Sequence, residues 1–263
     1  HDNTAVGYGA LTWVNNGDQN TAVGSSALIN NTTGTYNVAM GYYALAANTT
    51  GEGNIAVGNY ALDANTTGGK NVAIGYGSLG ANSTGSNNTS FGYGSMGNNS
   101  TADNNTAYGH LALHANTTGV QNVALGAFAL DACTTGHYNS AVGYQALTAC
   151  TTSDKNCAFG YYALSTLTTG SSNTALGNNA GYTVTTGTDN VFIGEESRGP
   201  TTASSSVVIG RAMDIGNVSN KVAIYNGTVN ANFSGSDTSW TFSSDARDKT
   251  DIVDLDLGLD FIK

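Results

Sequence analysis

Charged residues are scarce in this chain of 263 residues. Only 10% of its residues are charged, where a typical soluble domain has about 25%. Eight basic residues against eighteen acidic ones leave a formal net charge of -10. Such a surface repels phosphate, so the composition argues against a nucleic-acid partner.

Proline, cysteine and long apolar runs are scarce as well. The chain holds one Pro and three Cys, and three thiols cannot form a disulfide framework. No run of about 18 apolar residues occurs, so we expect no membrane insertion. No signal peptide is visible, and the chain starts in phase with its repeat, which indicates a fragment of a longer protein. The four His are scattered, so we expect no metal site and no cofactor.

A 17-residue unit repeats along the first three quarters of the chain, without insertion or deletion. Its consensus is N-[TV]-A-[VIML]-G-Y-x-A-L-x-x-N-T-T-G-x-x. The anchor residues are Asn3, Asn20, Asn37, Asn54, Asn71, Asn88, Asn105, Asn122, Asn139, Asn156, Asn173 and Asn190. The glycines four residues later are Gly7, Gly24, Gly41, Gly58, Gly75, Gly92, Gly109, Gly126, Gly143, Gly160, Gly177 and Gly194.

The length of this unit predicts its fold. A pair of packed helices needs more than about 30 residues, whereas 17 residues with two Gly and a turn fit two short strands. In the first unit we place these strands at about Thr4–Val6 and Ala10–Thr12. Each unit is then one coil of an all-β, parallel β-solenoid or β-roll, with coils stacked at about 4.8 Å. The Asn side chains should bond along the stack, and the Gly residues should need positive φ or close backbone approach.

Two apolar columns follow from the first strand, because alternate side chains face opposite sides. The first holds Val6, Val23, Met40, Val57 and Ile74, and the second holds Ala5, Ala22, Ala39, Ala56 and Ala73. A solenoid has one interior, so we expect the Ala column on its outer face. The second strand should likewise carry an Ala column and a Leu column on opposite faces. Strands that are apolar on both faces favour burial on both, and we therefore predict that identical rods pack along their length.

Aromatic and hydroxyl columns offer further candidate surfaces. Tyr follows the coil glycine at Tyr8, Tyr42, Tyr76, Tyr93, Tyr144 and Tyr161, and this column is interrupted at Ser25, Asn59, Ala127 and Asn178. Two interpretations stay open, packing at a corner or between chains and a glycan-binding stripe. Paired Thr columns such as Thr32–Thr33 suggest ice binding as an alternative function. It is the less favoured idea, because adjacent residues cannot share one strand face. Cys133 and Cys150 should stack one coil apart, as free thiols or as a disulfide.

The repeat resembles the head repeats of trimeric autotransporter adhesins, whose units read like N-S-V-A-I-G-x-x-A. Asn71-Val72-Ala73-Ile74-Gly75 carries the resemblance, with its eleven companions over residues 3–194. Similar repeats occur in bacteriophage and other viral fibres. The resemblance implies parallel β-rolls wound into homotrimers, intertwined or side by side.

The period fails after Gly194, and the end of the chain carries a second resemblance. Residues 195–243 are interpreted as a transition region with degenerate strands. From Ser244 onward the sequence S-D-A-R-D-K-T-D-I resembles the opening of the intramolecular chaperone domain of phage tailspikes and tail fibres, the peptidase S74 family. The resemblance implies trimerisation followed by one self-cleavage between Ser244 and Asp245. In this self-cleavage, the resemblance implies that Ser244 acts as the nucleophile and Lys249 as the base.

These observations together predict a structural role. The expected protein is the shaft of a trimeric extracellular fibre, with residues 1–194 as shaft, 195–243 as transition and 244–263 as the start of the chaperone. The expected partners are copies of itself and, through the wider fibre, a glycan or protein on a host cell surface. Its place would be a virion tail fibre, and a bacterial surface adhesin is the alternative. We expect no activity on an external substrate, because no cleft-forming set of acids, bases or metal ligands occurs.

Overall fold

The computed structural model describes residues 2–199, 201–202, 204–225, 230–234 and 241–243, the last two ranges by their backbone. These residues form sixteen short strands and no helix, and no helix among them has the length and hydropathy to span a bilayer. The strands are β1 (Thr4–Val6), β2 (Thr21–Val23), β3 (Val38–Met40), β4 (Ile55–Val57), β5 (Val72–Ile74), β6 (Thr89–Phe91), β7 (Thr106–Tyr108), β8 (Val123–Leu125), β9 (Ser140–Val142), β10 (Cys157–Phe159), β11 (Thr174–Leu176), β12 (Val191–Ile193), β13 (Val207–Ile209), β14 (Lys221–Tyr225), β15 (Asn230–Ser234) and β16 (Thr241–Ser243).

The strands form one sheet in chain order, and β1 to β14 pair in parallel. From β1 to β12 each residue lies opposite its equivalent 17 residues on, as Ala22 lies opposite Ala39. The later coils are shorter, because Val191 pairs with Val207 and Val207 with Val222. After β14 the pairing becomes antiparallel. The predicted all-β parallel solenoid with a 17-residue period is therefore confirmed.

The predicted second strand is wrong. Residues 10–12 and their equivalents form turns, and only the first strand of each coil is present among the described residues. Leu28 at this point has φ of 50°, and every Leu in its column has a similar value. This left-handed conformation excludes strand geometry. The coils still bond to one another here, since the Leu28 N–H donates to the Ala44 carbonyl at 3.0 Å.

The expected orientation of the first strand is also wrong. From Ala22 onward the residues of the Ala column are completely buried, whereas Ala5 in the first coil is exposed. On the other side of the strands, Met40 is 44% exposed and Leu176 is 53% exposed. The Ala column faces inward because the interior is already occupied by the Leu column, of which Leu28 is completely buried. Only a methyl group fits opposite those side chains, so the larger Val, Ile and Phe side chains point outward. The Ala residues beside the leucines, such as Ala27, are buried too.

Two ladders of buried Asn side chains join the coils. In the first, the Asn37 N–H donates to Asn20 Oδ1 at 3.0 Å, and the Asn20 amide donates to the Gly34 carbonyl at 2.9 Å. In the second, formed by the Asn of each Asn-Thr-Thr-Gly turn, Asn48 Nδ2 donates to Asn31 Oδ1 at 2.8 Å. These side chains are fully buried, so their bonds avoid the large cost of unsatisfied polar groups. The predicted role of the anchor Asn column is confirmed.

The coil glycines close the turn after each strand. The twelve glycines from Gly7 to Gly194 have φ between 120° and 145°. At Gly58 a Cβ atom would also lie 2.6 Å from the Gly75 carbonyl oxygen. Both requirements predicted for this column, positive φ and close backbone approach, are present together.

The core changes composition toward the C-terminal coils. Leu167 and Val184 replace the Asn of the second ladder, and both are fully buried. Phe192 stands where earlier coils carry the inward Ala, and it is also fully buried. Room for its ring comes from Gly181, where earlier coils carry Leu, because a Cβ atom there would lie 2.8 Å from Phe192 Cδ2.

Candidate functional site

The outward side of the strands is the most extensive candidate surface, and we name it the strand face. Its first column is the residue before each coil glycine, and no member of this column is charged. The members with the greatest exposure are Val6, Met40, Phe91, Tyr108, Leu125, Phe159, Leu176, Ile193 and Ile224. Its second column, two residues earlier, consists of Thr, Val, Ile, Ser and Cys side chains. Monomeric proteins rarely expose a continuous apolar surface of this extent.

A row of aromatic rings runs beside the coil glycines, and we name it the aromatic stripe. Continuous ring contacts join Tyr42, Tyr43, Tyr60, Tyr76, Tyr93, His110, Phe128, Tyr144, Tyr161 and Tyr162. The predicted interruptions at Asn59 and Ala127 are wrong, because the next residues, Tyr60 and Phe128, supply the rings there. A second aromatic position in the repeat is the sequence signal for this continuity. Tyr8 lies outside the stripe and is 88% exposed.

The geometry of the stripe limits what it can bind. Tyr76 and Tyr93 stack with centroids 5.3 Å apart and an interplanar angle of 11°, and Tyr144 and Tyr161 stack similarly. Each stacked ring covers the face of its neighbour, so edges and hydroxyl groups are left for contact with a partner. Burial within the cluster raises the pKa of the Tyr60 and Tyr162 hydroxyls. Like tyrosine hydroxyls in general, these groups are protonated at neutral pH and can donate hydrogen bonds.

The first Thr of each paired column is a structural residue. Thr49 Oγ1 donates to the Thr66 carbonyl at 3.0 Å, and the same bond recurs from Thr32 to Thr185 with Ser at two coils. A hydroxyl used in this way has its proton committed to the backbone of the next coil. The second Thr of each pair, such as Thr50, is exposed. The two columns therefore do not form one array of equivalent hydroxyls.

Cys133 and Cys150 occupy the second Asn ladder, and both thiols are free and buried. A hydrogen bond between the two thiols raises the pKa of Cys133 and lowers that of Cys150, which is also bonded to Ser153 Oγ at 2.9 Å. The difference follows from the direction of the bond, because the acceptor is stabilised as a thiolate and the donor is not. Full burial keeps both sulfur atoms from solvent.

The proposed self-cleavage residues Ser244, Asp245 and Lys249 lie outside the described residues. Within the described part of the chain, no group of three or more His, Cys, Asp or Glu side chains could hold a metal ion. The structure brings together the Asn, Gly and Tyr columns that the repeat predicts, and the first two are parts of the scaffold. The strand face and the aromatic stripe are the surfaces available to a partner.

No known protein-family model, curated protein or solved structure matches this chain.

Proposed function

We propose that this chain is the shaft of a trimeric extracellular fibre, such as a viral tail or host-attachment fibre. The observation that carries the proposal is the strand face, an uncharged apolar surface that follows the solenoid through fourteen parallel strands. Three copies would cover it by packing along their length. The choice of a trimer rests on the resemblance to trimeric adhesin heads and phage fibres. The shaft holds other parts of the fibre at a distance set by its number of coils.

The mass of the particle in solution tests this proposal. Light scattering after size exclusion should give three times the chain mass of 26.7 kDa. Leu125→Lys, on the strand face, should weaken assembly because it places like charges together in an apolar interface. Thr118→Lys is the matched control, since Thr118 is exposed but lies off the strand face. A monodisperse monomer of the unaltered chain would contradict the proposal.

The self-cleavage between Ser244 and Asp245 is a separate part of the proposal. Its support is the resemblance of residues 244–252 to the opening of the chaperone domain. Expression of the full-length gene should give a product cut before Asp245, and Ser244→Ala should leave the chain whole. A cut that persists in Ser244→Ala would exclude Ser244 as the nucleophile.

A bacterial surface adhesin is the second candidate, and the aromatic stripe favours it. Tyr76, Tyr93 and Tyr161 each keep between 49% and 55% of their surface exposed, which leaves hydroxyl groups able to bond to a glycan. An adhesin should retain glycans on an array, and replacing Tyr76 and Tyr93 with Leu should abolish that retention. An inert shaft would show no retention before or after the replacement.

A further inference from the structure

A polar groove lies on the side of the third to fifth coils, and we name it the notch. It is lined by Thr50, Glu52, Thr67, Gly69, Lys70, Ser86 and Asn87, and its volume is about 340 Å³. That volume falls within the range of small-molecule sites, about 300–1,000 Å³. The lining combines one carboxylate, one ammonium group, hydroxyls and an amide, which is the chemistry that recognises a polyhydroxylated ligand.

At the notch, Gly69 replaces a side chain that several other coils use to bind the backbone. In the next coils the Ser86 N–H donates to Asp103 Oδ1 at 2.6 Å, and the His137 N–H donates to Asp154 Oδ1 at 2.7 Å. The Gly69 N–H is bonded in the same way, by Ser86 Oγ at 3.1 Å. Each acceptor belongs to the residue 17 positions later. At these coils a side chain therefore accepts the N–H of the preceding coil.

Glu52 lacks this acceptor. Its equivalent 17 residues later is Gly69, and no hydrogen bond from the Glu52 N–H is present among the described residues. The equivalent N–H groups of Asp18, Thr35, Asp103 and Ser171 are also free, but none of these residues lines the notch. The Glu52 N–H is thus an open donor at the place where an Asp carboxylate would otherwise sit.

The charges of the notch are also available to a ligand. Glu52 and Lys70 are both exposed, and neither forms an ion pair in the described structure. Lys70 and Lys155 are the cationic side chains of residues 2–194 apart from His. Gly53 lies beside the Lys70 side chain, because a Cβ atom there would be 3.8 Å from Lys70 Cγ. Gly69 therefore leaves the Glu52 N–H uncovered, and Gly53 leaves the stem of the Lys70 side chain uncovered.

We propose that the notch binds a saccharide that carries a carboxylate. The carboxylate accepts the Glu52 N–H, in the place that Asp103 takes against Ser86, and it lies beside the Lys70 ammonium group. The hydroxyl groups of the sugar donate to the Glu52 carboxylate and bond to Thr50, Thr67 and Asn87. This inference goes beyond a shaft role and holds whether the chain is a monomer or a trimer.

Titration of the whole chain with glucuronic acid, followed by NMR, tests the proposal. Saturable binding is expected, and glucose should bind at least about tenfold more weakly, since a charge-assisted hydrogen bond contributes about 1.5–3 kcal/mol. Equal binding of the two sugars, or no saturable binding of glucuronic acid, would overturn the carboxylate assignment.

Two variants and one control test whether the ligand binds in the notch. Lys70→Met should weaken glucuronic acid binding at least about tenfold, whereas Lys155→Met, at the same coil position away from the notch, should not change it. Gly69→Ser should abolish binding, because the new hydroxyl accepts the Glu52 N–H as Ser86 accepts that of Gly69. Binding that survives both Lys70→Met and Gly69→Ser would place the ligand elsewhere and refute the proposal.

Discussion

Cys133 follows Asn116 by one coil, and the buried Oδ1 atom of Asn116 has no hydrogen-bond partner. In the preceding coils this oxygen accepts the Nδ2 group of the next Asn, as Asn99 Oδ1 accepts that of Asn116 at 2.8 Å. The ladder therefore ends on an unsatisfied acceptor. Each interior Asn of the ladder joins two neighbours, whereas Asn116 joins one.

The position of an Asn in this ladder should determine how much its replacement lowers the free energy of unfolding. Asn82→Leu removes bonds to Asn65 and to Asn99, while Asn116→Leu removes one ladder bond and also the unsatisfied oxygen. We expect Asn82→Leu to destabilise by about 1 kcal/mol or more beyond Asn116→Leu, the value of one further buried hydrogen bond. Chemical denaturation of both variants measures the difference. Equal losses would show that the ladder bonds are not what the Asn residues contribute.

The stability lost when a glycine is replaced should depend on which atoms lie close to the new Cβ atom. Gly58→Ala places a Cβ atom 2.6 Å from the Gly75 carbonyl oxygen at φ of 131°, so we expect a loss of several kcal/mol or a failure to fold. Gly77→Ala is the control, because its φ is 60° and no atom lies within 4 Å of the new Cβ. It should cost only about 1–2 kcal/mol, the strain of the left-handed region. Thermal unfolding of the pair is the measurement.

Phe192 and Gly181 should behave as a coupled pair. Phe192→Ala alone leaves a cavity and should cost about 3–5 kcal/mol, and Gly181→Leu alone should clash with the ring. The double variant restores the Ala and Leu of the earlier coils and should be more stable than either single variant. A double-mutant cycle measured in denaturant gives the coupling energy. Additive effects would mean that the two positions do not share one space.

Asp63 should make stability depend on pH. Burial raises the pKa of its carboxyl above the ordinary range of an aspartate, so the charged form is disfavoured in the folded state. The stability associated with the protonated form is present at low pH and is lost as pH rises through the folded pKa. Asp63→Asn should therefore raise the melting temperature at pH 7 and leave it unchanged near pH 3. Asp131→Ala is the comparison, because Asp131 Oδ1 accepts the Thr148 hydroxyl at 2.6 Å. Loss of this acceptor should lower the melting temperature at pH 7.

The periodicity of the sequence was sufficient to predict the solenoid, its parallel register and the strand at Thr4–Val6. It was not sufficient to show which side of that strand faces inward, since Ala5 and Val6 are both apolar. The narrow interior decides this, because the buried Leu column leaves room only for a small side chain opposite it. The left-handed φ of Leu28 has no signature in a side chain that usually favours helices and strands. The notch was also missed, because it arises from an absent side chain at Gly69.

The Phe192 and Gly181 pair also has a consequence for how such a gene can evolve. From the second to the tenth coil the buried Ala and Leu columns of the core keep these residues, with Ser78, Ser90, Ser95 and Met96 as the exceptions. We therefore expect that unequal recombination can duplicate or delete units there with little misfit. The coils around Phe192 fit only their own neighbours, and an exchange within them separates the ring from its space. We therefore expect the number of early coils to vary among related proteins and the C-terminal coils to be inherited as one block.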